Sequence, residues 1–70
     1  MTDTKRLEDL IKKMGYKKLF VAKMLGLTPY GLQKKICNET EFKAGEIKKL
    51  CDLLGISSLE EKEKIFFRCE

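Results

Sequence analysis

The chain has no histidine. Without an imidazole it lacks the commonest general acid–base group, and any zinc site would have to be built from thiolates and carboxylates. Cysteines are few and odd in number, and Cys37, Cys51 and Cys69 are spaced too widely for a Cys-x-x-Cys pair. They supply neither a disulfide framework nor a redox motif, which points to a reducing compartment. Cys51 reads as a small core residue, with Cys37 and Cys69 as incidental thiols. No carboxylate cluster or activated nucleophile stands out, so an enzyme is not expected, and no cofactor or metal is implied. Apolar runs are short, well below the ~20 residues of a membrane span, and Met1-Thr2-Asp3-Thr4 does not open a signal peptide. A cytoplasmic protein without membrane contact is therefore expected.

Acidic residues are missing from one long stretch. Between Leu10 and Lys35 there are seven lysines and no Asp or Glu. Residues 1 to 35 hold nine basic side chains against three acidic, whereas residues 36 to 70 hold six against eight. The first half therefore calls for an anionic partner, and an acidic DNA mimic is excluded.

Seventy residues allow one domain, 1–70, because domains usually run ~50–250 residues. One proline and five glycines punctuate it. Leu7, Leu10, Ile11 and Met14 repeat at i, i+3, i+4, i+7, which predicts a helix from about Thr4 to Met14, stopped by Gly15. A second helix, Lys17 to Leu25, turns Val21, Ala22 and Leu25 inward and ends at Gly26. Leu27 is expected to be buried in the turn. Thr28 is a good N-cap and Pro29 suits a first helical position, so a third helix runs Pro29 to Cys37, with Leu32 and Ile36 inward and Asn38 as its cap. After a polar loop, Phe42 returns to the core. Ile47, Leu50, Cys51 and Leu54 mark a fourth helix, Ala44 to Leu54, closed by Gly55. Ser58-Leu59-Glu60-Glu61 is a capping box opening a fifth, from Leu59 to Ile65 or Phe66. No segment shows convincing strand alternation. The fold class is all-α, five short helices.

The second and third helices are joined by Gly26-Leu27-Thr28. A connection so short, containing glycine, makes them cross steeply, as in a DNA-binding helix-turn-helix. Ala22 is small enough for close approach, while Val21, Leu27 and Leu32 fill the angle.

These residues carry a family resemblance. Gly15-Tyr16, Val21-Ala22, Leu25-Gly26, Leu32-x-Lys34-Lys35-Ile36, Glu41-Phe42 and Glu46-Ile47-Lys48-Lys49-Leu50-Cys51 resemble the phage Cro/CI-type repressors of the lambda-repressor-like, xenobiotic-response-element helix-turn-helix family. The similarity runs over residues 5 to 56 and leaves 57–70 as a terminal helix and tail. It implies a small transcriptional regulator in a bacterial host cell, bound to double-stranded operator DNA with its third helix in the major groove. The family reads bases from positions that here are Pro29, Tyr30, Gln33 and Lys34. Gln can bond adenine bidentately and Lys can donate to guanine, whereas Pro29 can donate nothing. Where the family opens its second helix with Ser or Thr and then Gln, this chain has Lys17 and Lys18. Cations oppose the helix dipole there, and a phosphate would reconcile the two. Phosphate binding is accordingly expected of Lys17, Lys18, Thr28, Lys35 and Lys43. Gly31, mid-helix, admits two readings, close approach to the DNA backbone or a packing accommodation. The resemblance further implies a homodimer at least on DNA, for which Ile65, Phe66 and Phe67 are the candidate surface. An alternative assignment closes the core with Phe66 and sets Phe67 at its edge. No small-molecule effector is evident. The competing functions are a protein-interaction module on the same fold, such as an antitoxin or anti-repressor partner, and an excisionase-like architectural DNA binder.

Overall fold

The computed structural model describes residues 1–67, leaving Cys69 outside the described part. Five helices follow in order: α1 Thr4–Lys13, α2 Lys18–Leu25, α3 Pro29–Ile36, α4 Ala44–Leu54 and α5 Leu59–Phe66. There is no strand among the described residues, and no helix is long and apolar enough to cross a membrane.

Local chemistry explains the boundaries. Asp3 accepts the Arg6 N–H at 3.2 Å and caps α1, Thr28 accepts the Gly31 N–H at 3.0 Å and caps α3, and Ser58 accepts the Glu61 N–H at 3.3 Å and caps α5. Gly26 and Gly55 end α2 and α4 at φ +71°, where a side chain would be strained. α3 ends one residue earlier than expected. Cys37 is its cap, and Asn38 follows in the left-handed region at φ 65°.

One core gathers all five helices. Leu7 and Ile11 meet Val21, Ala22 and Leu25 of α2, Leu32 and Ile36 of α3, and Ile47, Leu50, Cys51 and Leu54 of α4. Burial raises the Cys51 thiol's pKa; nearby Lys62 works against the shift, while Asp52 and Glu61 add to it. Leu27 and Phe42 pack half-buried against the core, so the turn is less enclosed than expected. Met14, the C-cap of α1, is 44% exposed and lies outside the core that its spacing predicts for it.

The expected dimer surface requires a correction. Ile65 and Phe66 are only 0% and 4% exposed, and Phe66 meets Phe42 edge-to-face at 5.8 Å. Both therefore belong to the core, and only Phe67, 52% exposed, faces outward. Successive helical residues are ~100° apart, so two neighbours can straddle the inward direction while the third leaves it.

A polar clamp fastens the start of the chain to this core. The Thr2 N–H donates to Asn38 Oδ1 at 2.8 Å, and Asn38 Nδ2 donates to the Thr2 carbonyl at 2.9 Å. Thr4 Oγ1 donates to the Ile36 carbonyl at 2.6 Å, while the Asp3 N–H donates to the Ile65 carbonyl at 2.6 Å. Residues 2–4 thereby satisfy carbonyls near the ends of α3 and α5, which helix geometry leaves without intrahelical partners.

Candidate nucleic-acid interface

α2 and α3 pack on one another across Gly26–Thr28, and α1 and α4 support the pair from behind. This scaffold fixes the outward face of α3, where Pro29 and Tyr30 are exposed and Gln33 and Lys34 half-buried. One turn of helix separates Tyr30 from Lys34, and the Lys34 ammonium lies over the Tyr30 ring, 5.4 Å from its centroid. Gln33 Oε1 accepts from Lys18 Nζ at 3.1 Å, and its Nε2 donates to Cys37 Sγ at 3.1 Å. Lys18 also pairs with Glu8 of α1. A short relay, Glu8–Lys18–Gln33, thus links α1, α2 and α3 at the surface.

Two helices begin without a side-chain cap, α2 and α4, and of these α2 alone also lacks an acidic residue in its first turn. Lys17 stands at its N-cap with no side-chain cap, and its first turn holds no acidic residue. The first N–H groups of α2 therefore have no capping oxygen, Glu8 nearby is engaged by the Lys18 ammonium, and Lys17 is exposed beside them. Positive charge from the side chain and from the helix end coincides there.

α4 also follows a lysine without a side-chain cap, but a carboxylate of its first turn accepts that lysine's own N–H. Glu46 accepts the Lys43 N–H at 2.9 Å and the Lys35 ammonium at 2.9 Å. Lys35 donates again to the Glu41 carbonyl at 3.0 Å. The side chains of Lys35 and Glu46 are 12% and 14% exposed. Burial alone would raise the Glu46 carboxyl, but the Lys35 and Lys43 hydrogen bonds, together with both lysine charges, outweigh it and hold the pKa below its ordinary value.

Lys35 is therefore not a free phosphate grip. It points inward and ties α3 to the 39–43 loop and α4, because its position flanks Leu32 and Ile36 on the buried side. The rest of the predicted set stays on the surface, with Lys17, Thr28 and Lys43 exposed and Lys18 held at the relay. Thr28 uses its oxygen as an acceptor from Gly31 and keeps a hydroxyl hydrogen to donate. Gly31 has a packing explanation, since a Cβ there would lie 3.1 Å from Thr28 Oγ1 and crowd the cap.

Sequence reasoning missed Glu8 and Glu46. The Lys43-x-x-Glu46 spacing is a partial signal for the second, since a carboxylate at the third helical position can reach back to the cap N–H. Nothing local signals Glu8. No family model, curated protein or solved structure matches the chain.

Proposed function

We propose that the protein binds double-stranded DNA sequence-specifically, as a small transcriptional regulator of the Cro or short-repressor kind. α2 and α3 act as the helix-turn-helix. α3 enters the major groove, with Tyr30, Gln33 and Lys34 toward base edges and Pro29 at the groove's rim. Lys17, Lys18, Thr28 and Lys43 hold the flanking phosphates.

The observation that carries this reading is the uncapped, lysine-bearing start of α2 beside a face of α3 that presents an amide, an ammonium and a phenol. A phosphate at the first position would accept from free N–H groups and neutralise Lys17. Lys18 can turn to a phosphate at small cost, because its pair with Glu8 is solvent-exposed and such pairs are worth ~0–1 kcal/mol. Gln33 would then be released toward an adenine edge, and Lys34 toward a guanine.

The domain's largest extent is 27 Å, less than the ~34–36 Å between half-sites one turn apart. Two copies are therefore needed to read a palindromic operator. Of the expected pairing surface Phe67 stays outward, with Met1 exposed around the same hollow, which Phe42 also lines.

Selection from a random pool of duplexes, followed by affinity measurement, tests the proposal. The selected site should bind at least ~10³-fold more tightly than scrambled DNA. Replacing Gln33→Ala and Lys34→Ala together should erase most of that ratio and leave non-specific binding nearly intact. Failure to enrich any sequence, with folded protein, would refute sequence reading.

A further inference from the structure

α2 is apolar on both sides, with six apolar residues among its eight, Lys18–Leu25. A helix of that composition is normally covered all round. Here Val21, Ala22 and Leu25 are buried, whereas Leu19, Phe20 and Met24 remain 66%, 42% and 51% exposed. Phe20 and Met24 are one turn apart, and the Tyr16 ring sits 5.3 Å from Phe20. Together with Lys17 and Lys23 these aromatics and Leu19 border a shallow hollow at the junction of α1 and α2. Scattered exposed apolar residues are ordinary; a contiguous patch on one helix face marks a binding surface.

Charge decides what covers it. No Asp or Glu lies between Asp9 and Glu39, and the nearby Glu8 is paired with Lys18. Two copies meeting through this same face would set Lys17 and Lys23 against their own likes, which is unfavourable. Elsewhere on the described chain, Leu59 is the exposed large apolar residue directly followed by carboxylates, Glu60 and Glu61. One leucine does not cover three exposed side chains.

We infer that the outer face of α2 docks a different protein through an acidic amphipathic helix, its leucine-like stripe on Leu19, Phe20 and Met24 and its carboxylates on Lys17 and Lys23. Helix-on-groove docking of this type uses anchors at i, i+3, i+4 and i+7. The docking stands without the DNA reading. If that reading also holds, the partner competes with DNA, because Lys17 serves both.

The test uses the isotopically labelled chain without DNA and two synthetic helical peptides. Both carry the same leucine stripe; one has glutamates at its polar positions, the other lysines. The acidic peptide is expected to shift backbone amide resonances at Tyr16, Leu19, Phe20, Lys23 and Met24, and to bind at least about tenfold more tightly than the basic one. Leu19→Ser and Met24→Ser, each checked for unchanged thermal unfolding, should each weaken it several-fold. The inference is overturned if the acidic peptide does not bind, if both variants bind it as wild type does, or if shifts fall on another face. It is equally overturned if dilution of the protein alone moves these resonances, which would mean a second copy covers the face. Vesicles of anionic phospholipid that move them more strongly than the peptide would identify a membrane surface instead. None of these results depends on whether an operator is found.

Discussion

α2 and α4 both follow a lysine at the N-cap and lack a side-chain cap, and they differ in what stands beside that lysine. At α4 a carboxylate on the third residue accepts the cap N–H and binds the Lys35 ammonium. At α2 no side chain caps the helix, and its first turn contains no acid. A protein under selection for stability alone would place Ser, Thr, Asp or Asn at position 17, a change worth ~0.5–2 kcal/mol. α4's start is completed by its own carboxylate, whereas α2's start is where we propose that an anion from outside binds.

Breaking the completed start should have the largest effect. Glu46→Ala removes the acceptor from a mostly buried ammonium and from the Lys43 N–H, and is expected to cost ~2–4 kcal/mol in chemical denaturation. Lys35→Met, which removes the ammonium and keeps the packing, should cost clearly less. If the pair joins α3 to α4, the double variant should lose less than the sum of the two single losses, and strict additivity would show that it does not.

Acid should weaken the same junction. Because the Glu46 pKa is held below its value in the unfolded chain, the stability it contributes is complete above that ordinary value of about 4.5 and disappears as pH falls through the lower, folded value. Thermal unfolding should therefore show a loss below about pH 4.5 that Glu46→Gln reduces. An identical acid profile in the variant would assign the loss to other carboxylates.

Closing the open start should stabilise the free protein. Lys17→Asp adds a cap oxygen and a charge that suits the helix end, with an expected gain of ~0.5–1.5 kcal/mol. The same variant should bind DNA more weakly. A gain in stability without any loss in binding would separate Lys17 from the interface.

The smallest effect is expected at Gly31→Ala. Better helix propensity favours alanine by ~1 kcal/mol, while the 3.1 Å approach to Thr28 Oγ1 disturbs a cap of similar worth. The net change should stay within ~0.5 kcal/mol.

Much of the fold was legible because it is local. Apolar stripes and punctuating glycines located all five helices, and the α-helical periods named most of the core. Contacts across the chain were not legible. The Thr2–Asn38 clamp joins residues 36 positions apart, and no pattern in either segment announces it. Lys35 looked like its neighbour Lys34, yet its position beside Ile36 turns it toward Glu46, whereas Lys34 lies over Tyr30. The sequence left Phe66 and Phe67 between two readings, a shared surface or Phe66 closing the core with Phe67 at its edge, and burial favours the second for Phe66. At the candidate site, residue types suggested Gln33 and Lys18 separately, and only the packing of α2 on α3 brought them within 3.1 Å.

The most direct test of the account is the salt dependence of DNA affinity in wild type and Lys17→Ser. Each phosphate neutralised contributes ~0.9 to the slope of log K against log salt on duplex DNA. A phosphate held at Lys17 predicts a slope smaller by about one such increment in the variant, with the preferred sequence unchanged. An unchanged slope in a folded variant would mean that the start of α2 does not hold a phosphate, and would contradict the central claim.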